Sequence, residues 1–348
     1  MPKRGRRDIR CGAFRFMWIR EQRGLVGGGG AEAAVRADGA KRGSPPSFGS
    51  PVRPRLLPYG IMRVRAVGEW SRAGPLEWKE NGMNSRKIRV GIIGCGFVGG
   101  ALKTWLDENS PNVQVFVSDP PKGMNDDLSQ IDIAFLQIHV PTEDDGTQDL
   151  TLMKELIRKL PDVPVFVRTT VLPGTSDRLT RETGHRVCYM PEFLTERTHI
   201  EDFRKQTMVW PCSIPDDPEA SSNCLSLLSA IFPGKKFSIM SPLEAEITKY
   251  AHNVFGAYKV TYFNAVREYC ERMGADWAKV HTGCLLSGYI NDTHTYVPGP
   301  DGKFGYGGKC FPKDVNAFAK LTAGTSLGTL LSPLHELNVH FRGVEEHI

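Results

Sequence analysis

The feature that most constrains this chain is a glycine turn set between a buried strand and a helix. Ile88–Gly94 reads as an apolar strand and runs directly into Gly94-Cys95-Gly96-Phe97-Val98-Gly99. Ala101, Leu102, Trp105 and Leu106 then mark one face of a helix. Asp119 ends the next apolar run, 20 residues after Gly99. Each part has a physical task. Gly94 allows the tight turn, Gly96 lets backbone approach a pyrophosphate, and Gly99 permits close packing of helix on strand. The helix N-terminus supplies amide donors and a positive dipole end. Asp119 suits a ribose 2′-hydroxyl and repels a 2′-phosphate, so the expected cofactor is NAD rather than NADP. Gly94, Gly96, Phe97, Val98, Gly99 and Asp119 are therefore cofactor-binding candidates.

Strands continue to alternate with helices beyond this turn. Val113–Asp119, Ile131–Val140, Val163–Thr170 and His185–Met190 read as strands, with a helix at Thr151–Leu160. The alternation predicts an α/β fold, a Rossmann-type parallel sheet with helices on both faces. Residues 208–241 read strand, helix, strand. Pro242 then opens one long helix to about Met273, roughly 48 Å at 1.5 Å per residue. Its length exceeds what one small domain needs, so it bridges domains or forms an interface. A shorter helix follows near Asp276–Tyr289. The expected organisation is a basic leader (1–82), an NAD-binding domain (83–241), a central helical domain (242–323) and a C-terminal tail (324–348).

Charge separates the leader from the rest. Residues 1–82 hold 17 Lys/Arg and 7 Asp/Glu, leaving 27 and 32 for the remainder, so the net +5 of the chain resides in the leader. A nucleic-acid-binding fold is not indicated for the acidic body. Gly27–Gly30, Ser44-Pro45-Pro46 and scattered arginines read as a disordered leader, and patterned sequence begins abruptly after Met83. A start assigned upstream of the real one, or a genuine disordered leader, would each produce that contrast. No apolar run reaches the roughly 20 residues of a membrane span, and no secretory signal is present, so a cytoplasmic setting is expected. Eight cysteines at 11, 95, 188, 212, 224, 270, 284 and 310 show no zinc-ligand spacing, and no metal is expected.

The densest chemistry lies in Gly305-Tyr306-Gly307-Gly308-Lys309-Cys310-Phe311-Pro312-Lys313-Asp314. The glycines let backbone press against a ligand, and Pro312 opens a helix through Ala317, Phe318 and Leu321. Cys310 then stands at the mouth of that helix between two lysines, where dipole and ammonium groups favour a thiolate. On the long helix, Lys249 and Asn253 share a face and can polarise a hydroxyl or hold an alkoxide. A solvated lysine beside an unrelated asparagine has the same spacing. Glu192 and Glu196 flank Phe193-Leu194 and can serve as bases or orient water, or can be plain surface carboxylates.

Together these motifs resemble the UDP-glucose/GDP-mannose 6-dehydrogenase family. The matches run in order: the strand and glycine turn at 88–99, Val140-Pro141-Thr142, Thr169-Thr170-Val171 with Gly174-Thr175, and Pro191-Glu192-Phe193-Leu194-x-Glu196. Glu246-x-x-Lys249-x-x-x-Asn253, Asn264 and Gly305 to Asp314 complete the set, which covers about residues 87–322. The resemblance implies two successive hydride transfers to NAD, from a nucleotide-sugar C6 alcohol to the aldehyde and then to the carboxylate through a Cys310 thioester. It implies Lys249, Asn253 and Asp314 around the oxyanion and the attacking water. Glu196 and Thr170 manage water and protons, and Pro141, Thr142 and Thr170 line the cofactor site. On this resemblance Glu192, Phe193, Leu194, Lys249, Asn253, Tyr306 and Gly307 are expected to contact the sugar. Small residues of the long helix (Ala245, Ala251, Gly256, Ala257) permit close approach of another helix, and with the resemblance they imply a homodimer through the central helical domain.

The chain also departs from the pattern. Only about a dozen residues separate Asp119 from Ile131, Met190 stands before Pro191, and Arg197 follows Glu196. The family's third, nucleotide-binding domain is expected to be missing after residue 348. Two other readings remain. A two-electron β-hydroxyacid dehydrogenase shares the Lys-x-x-x-Asn but has no need of Cys310. A non-catalytic NAD-binding paralogue has no reason to keep Cys310, Lys249, Asn253 and Asp314 together.

Overall fold

A computed structural model describes residues 86–143, 145–205, 209–213 and 218–343. The leader 1–82 and the last five residues of the tail lie outside them. Six strands form the main sheet: β1 (Ile88–Ile93), β2 (Val113–Asp119), β3 (Met124–Asn125), β4 (Ile133–Leu136), β5 (Val165–Val167) and β6 (Val187–Tyr189). Their order is β3-β2-β1-β4-β5-β6, parallel throughout except for the short antiparallel β3. The expected Rossmann-type sheet is therefore present. Buried on both faces, β4 reads Ile133-Ala134-Phe135-Leu136 with no polar interruption, as a central parallel strand requires.

Helices α1 (Phe97–Asn109), α2 (Thr151–Arg158), α3 (Thr175–Thr183) and α4 (His199–Lys205) link these strands to the rest of the domain. A core of Val90, Ile92, Leu102, Trp105, Phe135 and Phe166 lies on one side of the sheet, and Ala134, Leu136, Val165, Val167 and Leu179 fill the other. Between Asp119 and β4 the chain makes only a 3-10 turn at Pro120–Lys122 and the two-residue β3. Strands β7 (Val209–Ser213) and β8 (Lys236–Met240), with α5 (Pro218–Ile231) between them, pair only with each other as a separate parallel ribbon. Ser213 Oγ accepts a bond from Tyr189 N at 2.6 Å and so ties the ribbon to β6.

Helix α6 spans Pro242–Met273, matching the long helix read from the sequence. A reciprocal capping box starts it: Ser241 Oγ accepts from Glu244 N and Glu244 Oε2 accepts from Ser241 N. Gly274, at φ +68°, ends it in the left-handed region that favours glycine. Helices α7 (Trp277–Leu286) and α8 (Phe311–Leu321) follow. Residues 324–348, read from the sequence only as a tail, include helix α9 (Ser326–Arg342), which packs on α8 and α6. Leu331 and Leu334 of α9 join Tyr250, Val254 and Phe318 in a third core, so this segment completes the helical domain. Among the described residues no helix is long and apolar enough to cross a membrane.

Two small residues of α6 do not serve the purpose that sequence suggested. Gly256 and Ala257 are buried inside the chain, and a Cβ on Gly256 would meet the Phe311 ring at 2.7 Å. Glu246, one turn into α6, is also turned to a neighbour. Its carboxylate accepts from Gly174 N at 2.6 Å and Ser176 N at 2.8 Å, capping α3 across 70 residues of sequence. Gly174 precedes α3 and has no side chain to do this itself. Glu246→Gln keeps the shape but turns one acceptor into a donor facing a buried N–H. Urea denaturation should show a loss of about 1–3 kcal/mol; unchanged stability would remove the capping role.

Candidate active site

Every cofactor candidate lies at the carboxyl ends of the parallel strands, where open α/β sheets bind ligands. Gly94 adopts φ +85°, and a Cβ there would stand 2.6 Å from the Gln137 carbonyl oxygen. Gly99 lies so close beneath the turn that a Cβ would approach Gly94 O to 2.1 Å. Gly96, by contrast, has nothing within 4 Å of that position. No side chain caps the N-terminus of α1, so its first amides remain as donors beside open space. This arrangement fits a diphosphate. Phe97 sits edge-on to His199 of α4, with ring centroids 6.1 Å apart; Val98 is half-buried beside it.

Asp119 has a structural partner as well. Its Oδ2 accepts from Cys95 N at 2.8 Å, and Lys122 Nζ, 4.0 Å away, donates to Cys95 O. The carboxylate closes the turn through Oδ2, and its Oδ1 has no hydrogen-bond partner among the described residues. Thr142 forms an isolated bridge with Gln148, beyond exposed Pro141. Gln148 also donates to Thr170 O and accepts from Leu172 N, which fixes the loop after β5. Thr170 is buried there.

The chemical groups come from three elements. Helix α6 supplies Lys249 and Asn253, the loop after β6 supplies Glu192, and α8 supplies Asp314, all four buried. Lys249 Nζ donates to the Glu192 main-chain oxygen and, at 3.1 Å, to its Oε1. Asn253 Nδ2 donates to Asp314 Oδ2 at 2.7 Å, and Lys313 Nζ donates to Asp314 Oδ1 at 2.5 Å. An ammonium has three N–H donors and a primary amide two. These bonds leave Lys249 and Asn253 one donor each, on the same side of α6. Glu192 Oε2 accepts from Leu194 N and holds the loop in shape, while the Phe193 ring lies 4.5 Å from that of His252.

Cys310 is the N-cap residue of α8 and is half-buried. The flanking lysines do not act as the sequence suggested. Lys309 points to Glu196, pairing at 3.1 Å on the surface, and Lys313 is engaged by Asp314. Burial pushes the Cys310 thiol up; Lys313 opposes it, Asp314 adds to it, and the opposed charges of Lys249 and Glu192 follow. Burial therefore works against the ready thiolate that the flanking lysines suggest. The same four charges surround Cys310, so the chain segments that carry them meet at one place.

The glycine loop before Cys310 is held from behind. Asn264 Oδ1 accepts from Gly305 N, Asn338 brackets Tyr306 N and O, and Arg342 donates to Phe304 O and Gly305 O. Tyr306 is 3% exposed, with its ring in the third core and its hydroxyl directed at Leu334 O. Gly307 has the Arg342 guanidinium against its Cα. Only the main chain of these two is left to meet a substrate. Sequence reading missed Asn338 and Arg342, which fell in the supposed tail, and His252, whose Nδ1 is 3.2 Å from Asn253 Oδ1. It also missed Arg168, fully buried after β5 and facing Glu192, with burial pulling its guanidinium down to about 10.

The raised thiol gives a pH test. Peptide-mapped iodoacetamide labelling of Cys310 should be slow at neutral pH and climb through the alkaline range. Its midpoint should lie above that of a free cysteine, near 8.5. Fast labelling already at neutral pH would contradict the burial argument.

Residues 243–338 match the central domain of the UDP-glucose/GDP-mannose dehydrogenase family. The UDP-glucose 6-dehydrogenase of Rhizobium meliloti (strain 1021) is 31% identical over 203 residues, covering 54% of this chain and 45% of that protein. The chain spans about half the length of the relatives it matches. A UDP-glucose dehydrogenase structure from the archaeon Pyrobaculum islandicum superposes with a TM-score of 0.59 at 25% identity, over 74% of this chain and 69% of the other. The 3-hydroxyisobutyrate dehydrogenase of Mycobacterium tuberculosis, 14% identical with a TM-score of 0.52 over 75% of this chain and 97% of its own, shares the fold alone. The segment that brings Lys249, Asn253, Cys310 and Asp314 together is thus similar to the central domain of the UDP-glucose/GDP-mannose dehydrogenase family.

Proposed function

We propose that this chain is a nucleotide-sugar 6-dehydrogenase of the UDP-glucose 6-dehydrogenase kind, oxidising the sugar C6 alcohol to a carboxylate through a Cys310 thioester. The observation that carries this reading is the half-buried Cys310 at the start of α8, ringed by Lys249, Glu192, Lys313 and Asp314. A two-electron alcohol dehydrogenase has no use for that thiol. The glycine turn 94–99, Asp119, Pro141, Thr142 and Thr170 would hold NAD, one molecule of which would supply the hydride acceptor for each oxidation.

The remaining N–H donors of Lys249 and Asn253 orient the C6 oxygen and stabilise negative charge on it. Cys310 Sγ bonds to the aldehyde carbon, and its proton passes to solvent or a neighbouring base. The resulting thiohemiacetal oxygen meets the same two donors. After the second oxidation, water adds to the thioester carbon and the C–S bond breaks. Water gives up two protons as the carboxylate forms: one goes to the leaving sulfur, which restores the Cys310 thiol, and the other passes to solvent. Asp314 keeps Asn253 oriented throughout. Glu196, exposed and paired with Lys309, stands at the solvent side and relays protons. Glu192 orders the loop that meets the sugar, together with Phe193, Leu194 and the main chain at Tyr306 and Gly307.

Limiting UDP-glucose should yield two NADH per sugar and a uronate, and Cys310→Ser should yield at most one. One NADH from the unmodified chain would favour the two-electron β-hydroxyacid reading. None across a panel of nucleotide sugars, with NAD still bound, would favour the non-catalytic paralogue.

The same reading includes a homodimer through α6 and a cytoplasmic setting. Phe255, Tyr262, Tyr269 and Met273 are all more than half exposed. Their spacing of seven, seven and four lays them along one side of the helix. An aromatic stripe of this kind is an interface signature on a surface, and a second α6 offers the same stripe in return. Light scattering at micromolar concentration should give a dimer, and Tyr262→Arg with Tyr269→Arg a monomer. A monomeric unmodified chain would refute this.

A further inference from the structure

Gln137 is the first residue beyond β4, at the point where the strand order reverses between β1 and β4. Its main chain continues the sheet, with its N donating to Ile93 O at 2.9 Å. The side chain is only 8% exposed, and neither Oε1 nor Nε2 has a partner among the described residues. A primary amide carries two donors and an acceptor, and leaving them unmade in the interior is costly. Four apolar residues, Ile133 to Leu136, precede it in the strand, so the sheet interior here asks for another apolar group. A local rule broken without compensation inside the protein points to a purpose outside it.

The position of the amide identifies that purpose. A Cβ on Gly99 would stand 3.0 Å from Gln137 Nε2, which places the amide directly beneath the third glycine of the turn. Gly94, the first glycine, packs on the main chain of the same Gln137. Across the turn, Gly96 borders open space and α1 has no side-chain cap. Unmade donors of two kinds, the first amides of α1 and the Gln137 carboxamide, therefore flank one short stretch of chain.

We propose that Gln137 is a positioning residue of the cofactor site, its Nε2–H donating towards the diphosphate of a bound dinucleotide, directly or across one ordered water. The bound dinucleotide then satisfies an amide that the protein alone does not. The inference rests on the reading that this turn holds NAD, and it deepens that reading by adding a donor from β4 to those of α1. It also sets stability against binding. Replacing the amide by an apolar group of similar volume removes an unsatisfied interior dipole, which stabilises the free protein, and removes a donor to a charged ligand, which weakens the complex.

The test is Gln137→Met in the full chain, followed by calorimetric titration with NAD and by thermal melting with and without NAD. Without NAD the variant should melt a few degrees higher than the parent. NAD should bind about ten- to a hundredfold more weakly, as expected for a lost hydrogen bond to a charged group. The NAD-induced rise in melting temperature should shrink accordingly. Should Gln137→Met fail to fold, Gln137→Glu keeps the length and shape but sets a negative charge beneath the diphosphate, and it too should weaken NAD binding. Parental affinity for NAD in either variant overturns the proposal, as does a lower melting temperature with unchanged affinity, which marks a merely structural amide. A parent chain that binds no NAD at all is a different result: it overturns the cofactor reading, and this inference falls with it.

Discussion

An ion pair between Lys249 and Glu192, both nearly lost to solvent, joins the long helix to the carboxyl edge of the sheet. Taking two charges out of water is expensive, and their mutual attraction repays it only when the remaining hydrogen-bonding capacity is used. Here it is used. Glu192 also accepts from Leu194 N, and Lys249 also reaches the Glu192 carbonyl. Arg168 adds a second buried cation facing the same carboxylate. The pair thereby fixes the loop after β6 against α6, and everything placed on that loop takes its position from it. It follows that, on the proposed function, a change at Lys249 acts twice, on the chemistry and on the fold. Removing the cation strands a buried carboxylate, at a cost of about 3–5 kcal/mol in comparable cases. Kinetic loss in such a variant is interpretable only beside its stability.

The electrostatics around Cys310 follow from the same closeness. Lys313, Asp314, Lys249 and Glu192 bring two charges of each sign, so they largely oppose one another and burial decides the direction. A sequence shows that lysines flank a cysteine, but not that Asp314 of α8 already holds Lys313 and that Glu196, 113 residues before Lys309, already holds that lysine. This is why the chain alone suggests a thiolate where burial favours the thiol. The glycine turn, the alternation of strands and helices, and the 32-residue α6 were legible, because each depends on neighbours within a few turns. Pro242 and Gly274 bound α6 at the positions where capping preferences put them.

What escaped the sequence is the long-range part. Glu246 looks like a first-turn acid of its own helix, yet it caps α3. Tyr306 sits in a glycine-rich loop and reads as a ligand contact, yet its ring belongs to the core beneath α9. The small residues of α6 suggested contact with another chain, whereas Gly256 makes room for Phe311 of its own. The exposed aromatics at 255, 262 and 269 carry the surface stripe instead. In each case residue type alone allowed two readings, and only the partner across the fold chose between them. The segment after 323 was the largest such omission, since nothing local announces that Asn338 and Arg342 serve a loop some 30 residues upstream.

That last contact has a consequence for the order in which the protein is made. A ribosome delivers the sequence from its amino end, and the sheet and α6 can form before the rest of the chain emerges. Asn338 and Arg342, which bracket Tyr306 and grip the main chain at 304–305, are translated after the loop they hold. Until α9 leaves the exit tunnel, the glycine-rich segment has no backing and the sulfur has no fixed address. The loop before Cys310 is thus made ahead of its support, and α9, the last of the described helices, is the one that fixes it.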